Sequence, residues 1–370
     1  MNFRIQVLIL IIFFITGCKV KNKDEILSMF NLKPTTQKKL FEAYQHFIDA
    51  KSSADFPLNA FGQDAYSGKI SIYTQRFSAE NDLYYLPATL WQAYSLNGSS
   101  EWRNYAQNFS EILKGDKPSR FLNNVAVMQN ILLTTFLISK DQEYASIVIK
   151  ILSDYVAHAD EGCGNDSILE FNDMVGLDHL FENQVMFFAS KATGDPVYSK
   201  FALKNSNFII DNYFKNSQTS EFLHGFTKMN DNQVVVNKSL SRLKVTYADL
   251  AIGLYGFTFL SNETGMDIYH QLSNDIAPLF VNEFNLIEKE NLKPAINSEM
   301  DLLTQTLACI ALFDMGDRPE NHYREMSLMF YDHIIGSLSS SVKSDDINKF
   351  SFRLFYYLFE FERRKKGGLV

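Results

Sequence analysis

Five times along this chain an almost wholly apolar segment runs into a short polar turn and is followed by an amphipathic segment. The copies are "YYLPATLWQAYSLNGSSEWRNYAQNFSEIL", "NVAVMQNILLTTFLISKDQEYASIVIKILSDYV", "LFENQVMFFASKATGDPVYSKFALKNSNFIIDNYF", "DLAIGLYGFTFLSNETGMDIYHQLSNDIAPLF" and "DLLTQTLACIALFDMGDRPENHYREMSLMFYDHII". An all-round apolar helix has to be buried on every side, whereas an amphipathic one buries a single stripe. Each copy therefore reads as a helical hairpin with an inner and an outer member. Segments 37–51 and 347–366, at the two ends of the chain, supply a sixth pair. Such units are buried either in an open solenoid or in a closed ring. Successive turns lie about 40 to 70 residues apart, too uneven for uniform solenoid repeats. The pattern predicts an all-α (α/α)6 toroid, with 19–370 as a single domain. The segments ahead of the inner helices, 55–82, 157–172, 216–246 and 285–299, are rich in Gly, Asn, Asp and Tyr. They read as long loops that gather at one mouth of the ring, where helix N-termini present unpaired amides.

The N-terminus has a different logic. "MNFRIQVLILIIFFITGCKVKNKDE" holds one Arg, an apolar run from Ile5 to Ile15, and then Thr16-Gly17-Cys18. The run is too short and too early for a membrane span and matches a signal-peptide core. The small residue before Cys18 predicts a lipoprotein signal over 1–18, with Cys18 the lipidated first residue of the mature chain. The expected location is outside the cytoplasm, anchored by that lipid to a bacterial membrane. Cys163 and Cys309 are the only other cysteines, and nothing in the sequence requires them to pair. The seven His residues are scattered and show no metal-ligand spacing. No metal or other cofactor is expected. A net charge of -8 with dispersed acids argues against a nucleic-acid partner.

The stretch "EFNDMVGLDHLFENQ" (170–184) gathers Glu170, Asp173, Asp178 and Glu182 where a buried helix is expected to begin. Met174, Leu177, Leu180, Phe181 and Val185 recur at helical spacing on one face. Asp173 suits a helix N-cap and equally suits an acid at the mouth of the barrel. Asp249, at the head of a nearly all-apolar helix, carries the same two readings. Tyr84 and Tyr85 precede an inner helix and are candidates to stack on a sugar ring. Trp91 and Tyr247 are further candidates, although large aromatics at such positions also build core walls.

The phrases "FPLNAFG", "YYLPATLWQAYSLNG", "FNDMVGLDHLFENQVMFFASKATGDPVY", "FLHGF" and "AIGLYGFTFLSNETG", in this order, resemble glycoside hydrolase family 88. These are the unsaturated glucuronyl hydrolases, related to family 105. The resemblance implies the six-hairpin toroid and an acidic oligosaccharide substrate. In the implied reaction an Asp protonates C4 of a 4,5-unsaturated uronate, water adds at C5, and the hydrated product collapses to release the sugar. The phrases that carry this chemistry diverge. The family's I-D-x-M-x-N-L places its acid on Asn172, with Asp173 one residue on, and H-D-x-G-F places a second acid on Asn124. W-x-R-G-Q-x-W falls on "TYADLAI", which offers Tyr247 and Asp249. A family His corresponds to His224, and Asn297 stands beside Glu299 where the family has Asp-Ser. An amide cannot donate a proton to carbon at a useful rate. The resemblance therefore implies Asp173 as proton donor, with Asp249 or Glu299 as its partner and His224 orienting substrate. Asn124, Asn172, Tyr84, Tyr85, Trp91, Tyr247, Asn297 and Glu299 would line the sugar site. The alternative is a relative that binds saccharide without turning it over.

Overall fold

The computed structural model describes residues 36–54, 85–115, 125–161, 177–211, 227–230, 233–236, 247–289, 302–318, 321–341 and 350–367. These residues form α1 (Thr36–Ala54), α2 (Tyr85–Asn97), α3 (Ser100–Gly115), α4 (Val125–Ser139) and α5 (Gln142–Glu161). A 3-10 segment (Leu177–Glu182) leads into α6 (Asn183–Thr193), followed by α7 (Val197–Ile209), α8 (Tyr247–Thr264) and α9 (Asp267–Lys289). The chain closes with α10 (Leu302–Met315), α11 (Tyr323–Ser341) and α12 (Phe352–Lys365). Two short antiparallel ribbons interrupt the helices. Thr227–Asn230 pairs with Gln233–Val236 ahead of α8, and Asp317–Arg318 pairs with Asn321–His322 between α10 and α11.

Burial follows the two kinds of sequence. In α10 every residue from Thr304 to Leu312 is buried, so this helix is surrounded by protein. Among the described side chains of α3, Trp102, Ala106, Phe109 and Ser110 are buried, at three-and-four spacing, while Glu101, Arg103 and Asn104 face solvent. The inner members make a ring. α2 packs between α12 and α4, α4 packs on the 3-10 segment and α6, these pack on α8, α8 on α10, and α10 on α12. Each inner helix is covered by the outer helix that follows it, and α1 covers α12 and reaches α11. The two ends of the chain thus close the ring. Tyr44 lies 4.9 and 5.0 Å, centroid to centroid, from Phe355 and Phe359. Phe47 lies 5.0 Å from both Phe352 and Phe355. Lys366 Nζ donates to the Leu96 carbonyl at 3.0 Å and ties α12 to the end of α2. The (α/α)6 toroid expected from the hairpins is the fold observed.

The inner-to-outer turns share one device. Gly98, Lys140, Gly194, Gly265 and Gly316 all adopt left-handed φ, between 63 and 74°. In the first four turns the amide of that residue donates to the carbonyl four residues back, which caps the inner helix. Lys140 holds at φ 63° a conformation that glycine adopts without steric cost.

Three expectations need correction. The apolar stripe of Leu177, Leu180, Phe181 and Val185 is buried as predicted, but its first turn is wound as a 3-10 segment and the α-helix begins at Asn183. The close approach of Gly256 on α8 to Leu180 accompanies this tighter turn. The loops predicted over 157–172 and 285–299 start later, because α5 runs to Glu161 and α9 to Lys289. The polar composition at their ends reads as loop although it is helix. Cys309 is a buried free thiol. The signal segment 1–18, with Cys18, lies outside the described residues.

Candidate active site

Tight turns follow the inner helices, so all inner helices run in the same direction and their N-termini gather at one end of the barrel. One turn inside that end the bore is filled by aromatic rings. Tyr85, the first residue of α2, lies 5.3 Å from Tyr356 and 6.3 Å from Tyr357 of α12. Phe181, from the 3-10 segment, lies 5.5 Å from Tyr255 of α8 and 6.0 Å from Tyr357. Tyr255 and Tyr357 meet edge to face at 5.9 Å. The Tyr356 hydroxyl reaches Thr134 Oγ1 of α4 at 2.8 Å. Rings from α2, the 3-10 segment, α8 and α12 therefore form a floor beneath the mouth. Edge-to-face and tilted contacts of this kind stabilise beyond the area they bury.

Arg353, in the first turn of α12, lies across this floor. Its guanidinium carbon is 5.9 Å from the Tyr85 ring centroid and 5.5 Å from that of Phe181. α12 and the 3-10 segment are opposite members of the ring, since α2 and α4 separate them on one side and α8 and α10 on the other. A side chain that starts on one and covers a ring of the other spans the barrel axis.

Below the floor a polar strut crosses the waist. Gln184 Nε2 donates to the Tyr255 hydroxyl at 2.6 Å, and that hydroxyl donates to Glu360 Oε1 at 3.1 Å. Arg364 reaches the same oxygen through Nε at 3.1 Å and through Nη2, and its Nη1 contacts Asp314. The strut joins α6, α8, α12 and α10. Burial raises the Tyr255 hydroxyl well above its ordinary pKa and the Glu360 charge raises it further, so it stays a neutral donor. Burial pushes the Glu360 carboxyl up to about 7, against the pull of the Tyr255 hydrogen bond and the Arg363 charge. Contact with Arg364 also favours the carboxylate. Glu360 lies one turn deeper in α12 than the Tyr356–Tyr357 pair, with Oε1 held by two partners. This arrangement braces the barrel, and nothing in it presents the carboxyl to the mouth.

The expected site residues divide into three groups. Tyr85 lies in the floor, and Asp249 is buried in the first turn of α8, at the mouth end. Trp91 belongs to the wall. Its ring is buried and its Nε1 donates to Ser110 Oγ of the outer helix α3 at 2.8 Å, so it packs between the two layers and offers no face to a sugar. Tyr247 is the first residue of α8. Its side chain, like Asp173, His224, Asn124, Asn172, Tyr84, Asn297 and Glu299, lies outside the described residues. Glu182, gathered with the other acids of 170–184, is buried and hydrogen-bonds Tyr155 of α5. Among the described residues no group of His, Cys, Asp and Glu is placed to hold a metal ion.

The residues that sequence reasoning missed are concentrated on α12: Arg353, Tyr356, Tyr357, Glu360 and Arg364. The signal was present in "SFRLFYYLFEFERRK". Arg353, Tyr356, Tyr357, Glu360 and Arg364 recur at three-and-four spacing, which marks a polar-aromatic stripe through an otherwise apolar helix.

Neither a protein-family model nor any curated protein matches this chain. Solved structures do. The unsaturated glucuronyl hydrolase of Streptococcus agalactiae superposes with a TM-score of 0.58 at 14% identity, over 94% of this chain and 96% of that one. The unsaturated glucuronyl hydrolase of Bacillus sp. GL1, responsible for the degradation of glycosaminoglycan, gives a TM-score of 0.59 at 13% identity, over 78% of this chain and 87% of that one. An α-1,6-mannanase of Salegentibacter gives 0.50 at 10% identity, over 75% and 89%. The fold defined is the six-hairpin (α/α)6 toroid. It is the fold of the unsaturated glucuronyl hydrolases, the family whose phrases the sequence resembles.

Proposed function

We propose that this protein is a hydrolase of unsaturated uronic-acid oligosaccharides released from acidic polysaccharides, exported and anchored by lipid at Cys18. The supporting observation is the toroid itself, shared with the Streptococcus agalactiae hydrolase over nearly the full length of both chains. The sequence phrases favour uronides over the mannan of the third relative. Asp173 is the proton donor to C4 in this reading. Asp249 or Glu299 assists, His224 orients substrate, and water adds at C5 before the product collapses. Asp249 supports the assignment by its buried position at the mouth end of α8.

The test is loss of the ultraviolet absorbance of the C4–C5 double bond when purified protein meets unsaturated uronide disaccharides. Asp173→Asn should remove that turnover by several orders of magnitude, since the amide keeps the shape and loses the proton. Full activity in Asp173→Asn would move the acid elsewhere in the ring.

A second reading is favoured by Asn124 and Asn172, which stand where the family's acids fall. Asp-to-Asn variants of two structural relatives were crystallised with saccharides, one with dGlcA-GalNAc6S and one with dGlcA-Glc-Rha-Glc. A natural chain with both amides could hold such a sugar without turnover. Saturable binding with no loss of absorbance would favour this reading.

A further inference from the structure

We propose that Arg353 is the residue that selects for an acidic sugar, by pairing with the carboxylate of the ring that enters the barrel. This rests on the reading of the site as one for uronides and assigns the recognition of the carboxylate to a particular side chain.

Position comes first. The guanidinium lies over rings contributed by α2 and by the opposite 3-10 segment, so it lies across the axis of the barrel rather than in its wall. It belongs to the first turn of α12, one turn nearer the mouth than Tyr356 and Tyr357, and it is half-buried. A sugar that descends between the inner-helix N-termini meets this cation before it meets the floor.

Chemistry comes second. A planar guanidinium matches a carboxylate through two parallel N–H donors, a fit that an ammonium does not make. Cation–π contact with the Tyr85 and Phe181 rings restrains the guanidinium, so less side-chain freedom is lost when the anion arrives. The low dielectric of the aromatic floor strengthens the pair relative to water.

Electrostatics comes third. A cation in the first turn of a helix works against the helix macrodipole. Arg353 holds this unfavourable place beside the Ser351 cap, whose Oγ accepts from the Leu354 amide at 3.1 Å. A carboxylate arriving at this end of α12 is favoured by the helix dipole as well as by the guanidinium. The same surroundings give a neutral sugar no such gain, and this is what makes the residue selective.

The experiment measures binding of a 4,5-unsaturated glucuronyl-N-acetylgalactosamine disaccharide and of its methyl ester by titration calorimetry. Both ligands are tested on the full chain and on its Asp173→Asn background, where turnover is blocked. Wild type is expected to favour the free acid over the ester by roughly 10- to 100-fold, the range of a charge-assisted hydrogen-bonded pair. Arg353→Gln should weaken the acid to the level of the ester and leave the ester unchanged. Arg353→Lys, which keeps the charge and loses the fork, should fall between them. Circular dichroism confirms that each variant is folded. If Arg353→Gln is misfolded, Arg353→Lys alone decides, because an unmoved preference in it means that the guanidinium fork plays no part. A folded Arg353→Gln that keeps the acid preference overturns the assignment and leaves the uronide reading intact. A wild type that binds neither ligand sinks both.

Discussion

Replacing Gly256 by Ala tests the architecture that holds the floor in place. A Cβ built on Gly256 would lie 2.5 Å from Leu180 Cβ and 3.2 Å from its Cγ and Cδ1. Ordinary contact between such carbons is about 3.5–4.0 Å, so either α8 or the 3-10 segment must retreat by roughly 1 Å. Leu180 cannot swing away, because the clash is at its Cβ and the residue is 1% exposed. Overpacking of this kind costs about 1–3 kcal/mol. Helix propensity returns roughly 1 kcal/mol for Gly to Ala, leaving a net loss of up to about 2 kcal/mol. For a domain of this size that lowers the melting temperature by up to about 6 °C. Gly336 in α11 is the control, since a Cβ there meets nothing within 4 Å, so Gly336→Ala should gain stability from propensity alone. The consequence for function follows the chain. Phe181 adjoins Leu180, and its ring meets Tyr255, Tyr357 and the Arg353 guanidinium. Gly256→Ala should therefore also weaken uronide binding, whereas Gly336→Ala should not. The assay is thermal unfolding by far-ultraviolet circular dichroism together with the calorimetric titration. A Gly256→Ala protein with an unchanged or higher melting temperature would refute the close packing of α8 on the 3-10 segment.

Two further outcomes are expected. The Glu360 carboxyl has its folded pKa raised from 4.5 to about 7. The folded state then binds more protons than the unfolded chain between these values, so this group's contribution to stability is largest at the acid end and falls as pH rises to about 7. Glu360→Gln should lack that part of the decline in melting temperature between about pH 5 and pH 7.5, and identical slopes in the two proteins would rule it out. Export and lipidation predict that Cys18→Ala leaves the precursor unprocessed by the lipoprotein pathway, and fatty-acid labelling that persists in the variant contradicts the assignment of Cys18.

The ring was legible in the sequence because burial on all sides and burial on one side leave different residue patterns. α10 and α3 show the two extremes, and the turn glycines mark where one passes into the other. Helix ends were less legible. The 3-10 segment 177–182 packs its Leu180 closely on Gly256, 76 positions further along the chain on another element, and no local pattern contains that contact. The site was legible in part. Tyr85 and Asp249 were recognisable as residues at helix mouths. Trp91 was misplaced because a helix that is apolar all round does not tell which of its faces looks to the axis and which to the outer layer. Its bond to Ser110 settles that. Arg353 escaped notice because a charged residue near the end of an inner helix reads as its solvated tip, whereas the closing helix of a ring has both neighbours supplied by distant parts of the chain.

The strut and the floor also bear on how chemistry could change without loss of the fold. The waist is braced by Gln184, Tyr255, Glu360, Arg364 and Asp314, and the floor above it by rings from four inner elements. Breaking a buried charge pair costs about 3–5 kcal/mol, so the partners in the strut are not free to vary one at a time. Asp173 and the amides at 124 and 172 stand in the sequence just ahead of inner helices, where an N-cap tolerates Asp and Asn alike. An Asn at 124 or 172 therefore leaves the toroid its stability while it removes a proton donor. Scaffold and acids answer to different constraints, and fold similarity at 13–14% identity follows from the first of them. In the proposed reaction turnover depends on the second, through Asp173. For this reason Asp173→Asn should leave the melting temperature nearly unmoved while it abolishes turnover, and Gly256→Ala should shift both stability and binding. The two variants together separate the acid from the scaffold that carries it.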